Sequence, residues 1–161
     1  MPNQFTGNII DVDLNNPAHA AAVLELLNLY ACDPMGGGKP LSDHVVSSLI
    51  ESLKSVPSYH GLLAVEGERF IGFATCFLGY STFNAAPLLN IHDIAVHPDQ
   101  RQRGIGKALM AAVDQLASRL DCYAVTLEVR ADNPARRLYQ NCGFKPGDLE
   151  SEDWAFWKKT L

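Results

Sequence analysis

Apolar positions follow two rhythms along this chain, one of period two and one near 3.6, and their order predicts the architecture. Residues 8–14 alternate enough for an edge strand. Asn16-Pro17 then supply a helix cap and a first helical position, and Val23, Leu26, Leu27 and Tyr30 recur at helical spacing behind them. The segment Asp33-Pro34-Met35-Gly36-Gly37-Gly38-Lys39-Pro40 cannot prolong that helix, since three glycines are costly to order and two prolines fix its ends. A mobile loop is predicted there. Ser42 caps a second helix carrying Val45, Val46, Leu49, Ile50 and Leu53, which stops before Pro57.

Residues 62–65 and 70–78 read as strands around Glu66-Gly67-Glu68-Arg69, a polar connection with one glycine that suits a hairpin. The chain then passes through Tyr80-Ser81-Thr82-Phe83-Asn84 to residues 88–96, whose branched apolar run predicts a strand buried on both faces. His97-Pro98 end it. Ile105, Leu109, Val113, Leu116 and Leu120 mark an amphipathic helix entered through Gly104 and Gly106. Residues 123–129 form another buried strand, and Asn133-Pro134 cap a short helix that Gly143 terminates. Residues 148–153 read as an acidic turn and residues 154–160 as a terminal strand. Strands without intervening helices, then strand, helix, strand, helix, predict an α/β mixed sheet, mostly antiparallel with one parallel crossover, flanked by about four helices.

With 161 residues, 47% of them apolar, the chain is read as one domain spanning 1–161. A net charge of -5 argues against nucleic acid as the main partner, so the basic residues near 101–107 and 136–137 read as a local anion site. An acidic exterior tolerates a cationic amine. Cys32, Cys76, Cys122 and Cys142 show neither metal-ligand spacing nor a disulfide framework, so reduced cysteines in a cytoplasm are expected, without a metal. The uncharged run at 70–91 is broken by Gly72, Thr75, Gly79, Ser81, Asn84 and Pro87, and reads as sheet and turn rather than a membrane span.

The chemistry concentrates where strand 88–96 feeds helix 105–120. A helix's first turn leaves backbone N–H groups unpaired, and glycines at 104 and 106 let the main chain approach an anion, with Arg101, Arg103 and Lys107 adding charge. A diphosphate-containing ligand is predicted. A P-loop fails because Arg101 stands where its first glycine belongs and Ala108 where its hydroxyl residue belongs. A dinucleotide fingerprint needs glycine or alanine at Leu109. What remains, Arg101-x-x-Gly104-x-Gly106, resembles the acetyl-CoA pyrophosphate loop of the GNAT superfamily of N-acetyltransferases. Downstream, Asn133-x-Ala135-x-x-x-Tyr139-x-x-x-Gly143-Phe144 resembles the same superfamily's cofactor half, so the likeness covers roughly residues 62–144.

That resemblance implies a GNAT fold and direct transfer of acetyl from acetyl-CoA to a primary amine, preferably of a small molecule. A protein or peptide acetyltransferase and a non-catalytic acyl-CoA-binding module stand as alternatives, and a homodimer is left open. It implies that Ile94 and Val96 meet the acetyl and pantetheine groups through their main chain, and that Arg101, Gln102, Arg103, Gly104, Ile105, Gly106 and Lys107 hold the diphosphate. Asn133 and Arg136 join the cofactor-binding set, although capping explains Asn133 equally well. Tyr139 occupies the position that protonates the leaving thiolate; the plainer alternative is a core tyrosine on an amphipathic helix. Strand 88–96 lacks the glutamate many members use as base, and His92 falls where diamine acetyltransferase-like members carry a histidine, with Asn90 on the same face. A histidine satisfied inside the sheet is the competing reading. Strict alternation turns Asp93 to the opposite face, which excludes a His92–Asp93 pair and leaves Asp93 a bracing role. The resemblance also brings Met35, Gly36 to Gly38 and residues 80–83 towards an acceptor pocket, where exposed turns would have the same composition.

Overall fold

A five-stranded sheet with helices on both faces organises the chain in the computed structural model, which describes residues 4–145. The elements are β1 (Asn8–Asp11), α1 (Pro17–Cys32), α2 (Asp43–Lys54), β2 (Tyr59–Glu66), β3 (Arg69–Ser81), β4 (Ala86–Val96), a 3-10 turn (Pro98–Gln100), α3 (Ile105–Arg119), β5 (Ala124–Leu127) and α4 (Arg136–Asn141). Sheet order follows chain order, antiparallel from β1 to β4, with β5 parallel to β4. The parallel pair is the one joined by a helix, because its crossover must return the chain to the same end of the sheet.

Local chemistry sets the helix starts. Asn16 Oδ1 accepts from Ala18 N at 2.9 Å with Pro17 in the first turn, and Ser42 Oγ accepts from Val45 N. Alternation then divides β2 between two cores. Leu63 meets Phe73 and the Ala22, Val23, Leu26 stripe of α1, while Leu62 and Ala64 meet Ile105, Leu109, Met110 and Val113 of α3. The hairpin between β2 and β3 turns through Gly67 at φ +61, with Glu66 opposite Arg69.

Several boundaries differ from the sequence reading. β1 ends at Asp11, and the next residues turn locally, Asp13 N bonding His19 Nδ1 and Asp13 Oδ1 accepting from Asn15 N. β3 runs on to Ser81, so residues 82–85 are a hairpin tip rather than a passage between separate strands. β4 is not buried on both faces: Leu89 and Ile91 are buried but His92 is exposed. β5 has only four residues, none fully buried, because it has a neighbour on one side alone among the described residues. α4 begins at Arg136, with Asn133 and Pro134 forming a turn ahead of it. The turn and strand expected at 148–160 lie outside the described residues. No helix among the described residues is long and apolar enough to cross a membrane.

Candidate active site

β4 and β5 part company, and the gap between them is the site. Their parallel pairing runs from Leu88 opposite Ala124 to Ile91 opposite Leu127 and then stops. Past that point Ile94, Ala95 and Val96 on one side, with Leu127, Glu128 and Val129 on the other, line a cavity of about 410 Å3. The cause is a β-bulge. Thr75 of β3 faces Asp93 and Cys76 faces Ile91, so His92 is an extra residue in β4. A bulge bends its strand and sharpens the twist, which carries β4 away from β5.

Backbone direction follows from one bond. His97 N donates to Ile71 O of β3 at 2.9 Å, so in this antiparallel ladder the residues two and four before it also turn towards β3. Ile94 and Val96, of the other parity, aim their N–H and C=O groups into the gap. The Val96 carbonyl there accepts from Arg101 Nε at 3.3 Å.

The loop from β4 to α3 closes one end of the cavity. Gln102 and Gly104 have φ of 62 and 86, and Gly104 caps α3 with no side-chain bond to its first turn. The first-turn N–H groups of α3 therefore have no side-chain acceptor, and Gly104, Ile105, Gly106 and Lys107 all line the cavity. A Cβ on Gly104 would meet nothing within 4 Å, so glycine answers the left-handed backbone there; at Gly106 a Cβ would lie 3.1 Å from Leu138 Cδ2, so glycine lets α4 approach α3.

The expected cations separate. Lys107 lines the cavity with no carboxylate within ion-pair distance among the described residues. Arg101 lines it too, but its Nη2 lies 2.8 Å from Asp33 Oδ2. Asp33 is also bonded by Met35 N, and that bond with the Arg101 one holds its carboxyl below the usual range. Arg103 is not in the cavity wall: its Nη2 reaches both Glu66 oxygens at 2.9 Å and its Nη1 bonds Gln100. The Arg103 bond, with that of Thr6 N, holds Glu66 low as well. Gln102 lines the cavity, as does Asn133, whose Oδ1 is used on Ala135 N at 2.9 Å. Arg136 lies outside the wall and bonds Ala131 O.

Tyr139 projects from α4 into the same cavity, 9% exposed, its ring against Phe144 and its hydroxyl bonded to no described residue. Burial, then the charge of Tyr30, pushes its phenol above the ordinary value. Tyr30 itself, with Asp33 and Met35, forms the α1 side of the cavity, a contribution that its place in the apolar stripe of α1 concealed. Tyr80 and Phe83 are elsewhere, exposed at the β3–β4 hairpin, Phe83 fully at 99%.

His92 lines the cavity, its side chain 65% exposed and its ring edge-on to Phe77 at 5.5 Å. Asp93 is not turned away from it. Because the bulge suspends alternation, both side chains emerge on the α1 face, with His92 Nδ1 3.5 Å from Asp93 Oδ2. The exclusion of a His92–Asp93 pair is therefore wrong. Burial pushes the Asp93 carboxyl up, against the lowering pull of His92.

Comparison with known proteins agrees with this layout. Over 92 residues the chain is 29% identical to the glucosamine 6-phosphate N-acetyltransferase of Schizosaccharomyces pombe, a match covering 56% of this chain and 81% of that protein. Over 91 residues it is 33% identical to the ribosomal protein bS18-alanine N-acetyltransferase of Haemophilus influenzae, covering 56% of this chain and 58% of that one. An aminoglycoside acetyltransferase from an uncultured soil metagenomic sample, solved with sisomicin, superposes with a TM-score of 0.75 at 20% identity over 96% of each chain, which shows the fold. The acetyltransferase (GNAT) family model matches residues 23–144, a family that uses acetyl-CoA as co-substrate. With the split sheet, the glycine loop and the α4 tyrosine around one cavity, the chain belongs to the GNAT family of acetyltransferases and is an acyltransferase.

Proposed function

We propose that the protein moves an acetyl group from acetyl-CoA to a primary amine of a small molecule, by direct attack while both substrates are bound. The observation that carries this reading is the convergence on one cavity of an uncapped helix start, two main-chain groups, a buried phenol and an imidazole. The first turn of α3, with Lys107 beside it, suits a diphosphate, because oriented N–H groups and a nearby ammonium both favour negative charge. Ile94 and Val96, aimed into the gap between β4 and β5, suit the amide-bearing arm and the thioester carbonyl.

The amine arrives as an ammonium and must lose a proton before it attacks. His92, at the open part of the wall, is the acceptor for that proton, directly or through a water. As the new N–C bond forms and the C–S bond breaks, the electron pair passes to sulfur and Tyr139 supplies the proton that makes the free thiol, while the second proton shed by the acylated nitrogen returns through water to the phenolate and restores Tyr139. Its raised pKa keeps that proton in place at neutral pH, and no described residue competes for it. Both cations lining the cavity, Arg101 and Lys107, belong to the cofactor loop and helix, whereas Tyr30, Met35 and Glu128 offer apolar, aromatic and acidic surface that suits an amine.

Thiol release from acetyl-CoA, measured across polyamines, amino acids, aminoglycosides, amino sugars and peptides, tests the reading. Turnover with a small amine is expected. Turnover with peptides alone would replace the small-molecule acceptor by a protein, the kind of acceptor that the relative from Haemophilus influenzae is named for. Acetyl-CoA binding without release on any acceptor would make the chain a binding module.

A further inference from the structure

We propose that Asp93 is a positioning residue for His92, holding the imidazole with Nδ1–H turned to the carboxylate and Nε2 bare towards the acceptor. The inference rests on the assignment of His92 as base and concerns how that base is prepared. Two neighbours border the ring. Phe77 of β3 meets it edge-on, with an interplanar angle of 86°, and Asp93 Oδ2 lies 3.5 Å from Nδ1. A ring held through Nδ1 has only Nε2 left for an incoming proton, and which nitrogen is free is decided by the bond the other one makes.

The bulge makes this arrangement available. Regular pleating would set His92 and Asp93 on opposite faces; the extra residue puts both on the α1 side. Asp93 is the less accessible of the two, its side chain 23% exposed against 65% for His92, and it does not line the cavity. It can therefore act on the acceptor only through the imidazole. When His92 takes a proton, the neighbouring carboxylate offsets the new charge in a partly desolvated place, where such pairing counts for more than at an open surface.

Of the titrating groups near the pair, Tyr30 and Cys76 stay neutral while it works, and Asp33 is a carboxylate paired with a guanidinium. Tyr30 approaches from α1 and is raised by burial and by the charges of Asp93 and Asp33; Cys76 of β3 is pushed up to about 12 by burial. Asp33 is engaged by Arg101. Asn90, on the same face, gives its amide to Thr126 Oγ1 of β5 at 3.1 Å and carries no charge.

The test combines side-chain NMR with pH profiles on the wild type, Asp93→Asn, Asp93→Ala and His92→Ala. In 15N-labelled wild type the neutral His92 ring is expected as the Nδ1–H tautomer; Asp93→Ala should return it towards the mixture of a free imidazole. In kinetics Asp93→Asn should lower kcat at least about tenfold with KM for acetyl-CoA unchanged. Asp93→Glu should restore part of the loss. A wild-type Nε2–H tautomer, or a tautomer and kcat unchanged in the Asp93 variants, would overturn the inference. His92→Ala separates the underlying assignment: if the limb persists without the imidazole, His92 is not the base, whatever the NMR shows about Asp93.

Discussion

Replacing Tyr139 by phenylalanine removes one oxygen and distinguishes a proton donor from a core residue. The ring packs in the α3 side of the core and against Phe144 at 6.2 Å, and all of that survives the substitution. The hydroxyl bonds no described residue, so no internal hydrogen bond is lost, and the roughly 1 kcal/mol that a broken buried bond costs is not expected. Melting temperature should therefore stay level or rise slightly. The chemical step should not survive so well. General-acid assistance is commonly worth about 100-fold to 10,000-fold, which is roughly 3 to 5 kcal/mol of barrier, and it acts only when charge reaches sulfur. Acetyl-CoA affinity by calorimetric titration should change little, while the single-turnover rate on an accepted amine falls by that factor. Full single-turnover rate, whatever the melting temperature, would make Tyr139 a packing residue and remove the acid from the mechanism.

Three further outcomes follow from the geometry. Gly104→Ala should cost about 1 to 2 kcal/mol, since φ there is +86 and an L-residue resists that backbone, and should weaken acetyl-CoA binding in titration; unchanged stability and affinity would show that the loop tolerates another path. Arg103→Gln should leave acetyl-CoA affinity near wild type while altering acid stability. Glu66 is depressed in the fold, so its contribution is present above its unfolded range and lost as pH falls through the folded value; melts across the carboxylate range should show a shallower acid limb in the variant, and a large affinity loss instead would return Arg103 to the diphosphate site. Asp93→Asn should be no less stable than wild type at neutral pH. Burial raises the Asp93 pKa in the fold, so the stability it allows is full below the unfolded value and declines as pH rises through the folded one; melts that converge in acid and separate near neutrality would agree, and a destabilised variant at neutral pH would contradict it.

Helical spacing and capping chemistry were enough to anticipate α1, α2 and α3. Val23 and Leu26 are buried where the stripe put them, and Asn16 and Ser42 cap as short polar acceptors do. The glycine loop was legible for a related reason: a left-handed residue before a helix narrows the choice to glycine, and Gly104 has that conformation. Charge was less legible. Arg101, Arg103 and Lys107 look alike as a basic cluster, yet Asp33 takes up the first and Glu66 the second, partners 68 and 37 positions away. Nothing local in a sequence announces which carboxylate a guanidinium will meet.

The bulge at His92 is the clearest case of what period-two reasoning misses. Alternation assigns faces by counting, so a single extra residue reverses every assignment beyond it. Counting from Asn90 places His92 on the right face, because the irregularity comes after it; counting one step further places Asp93 on the wrong one. Two consequences follow from that point. Towards the C-terminus, β4 leaves β5, and Ile94 and Val96 turn their main-chain groups into an open gap instead of a ladder. At the bulge itself, an imidazole and a carboxylate that a regular strand would separate are set side by side over the α1 face. One inserted residue thus opens the space between the strands and brings to its edge the group read here as the base. A deletion that restored regular pairing would be expected to remove both features together, since they share a single cause.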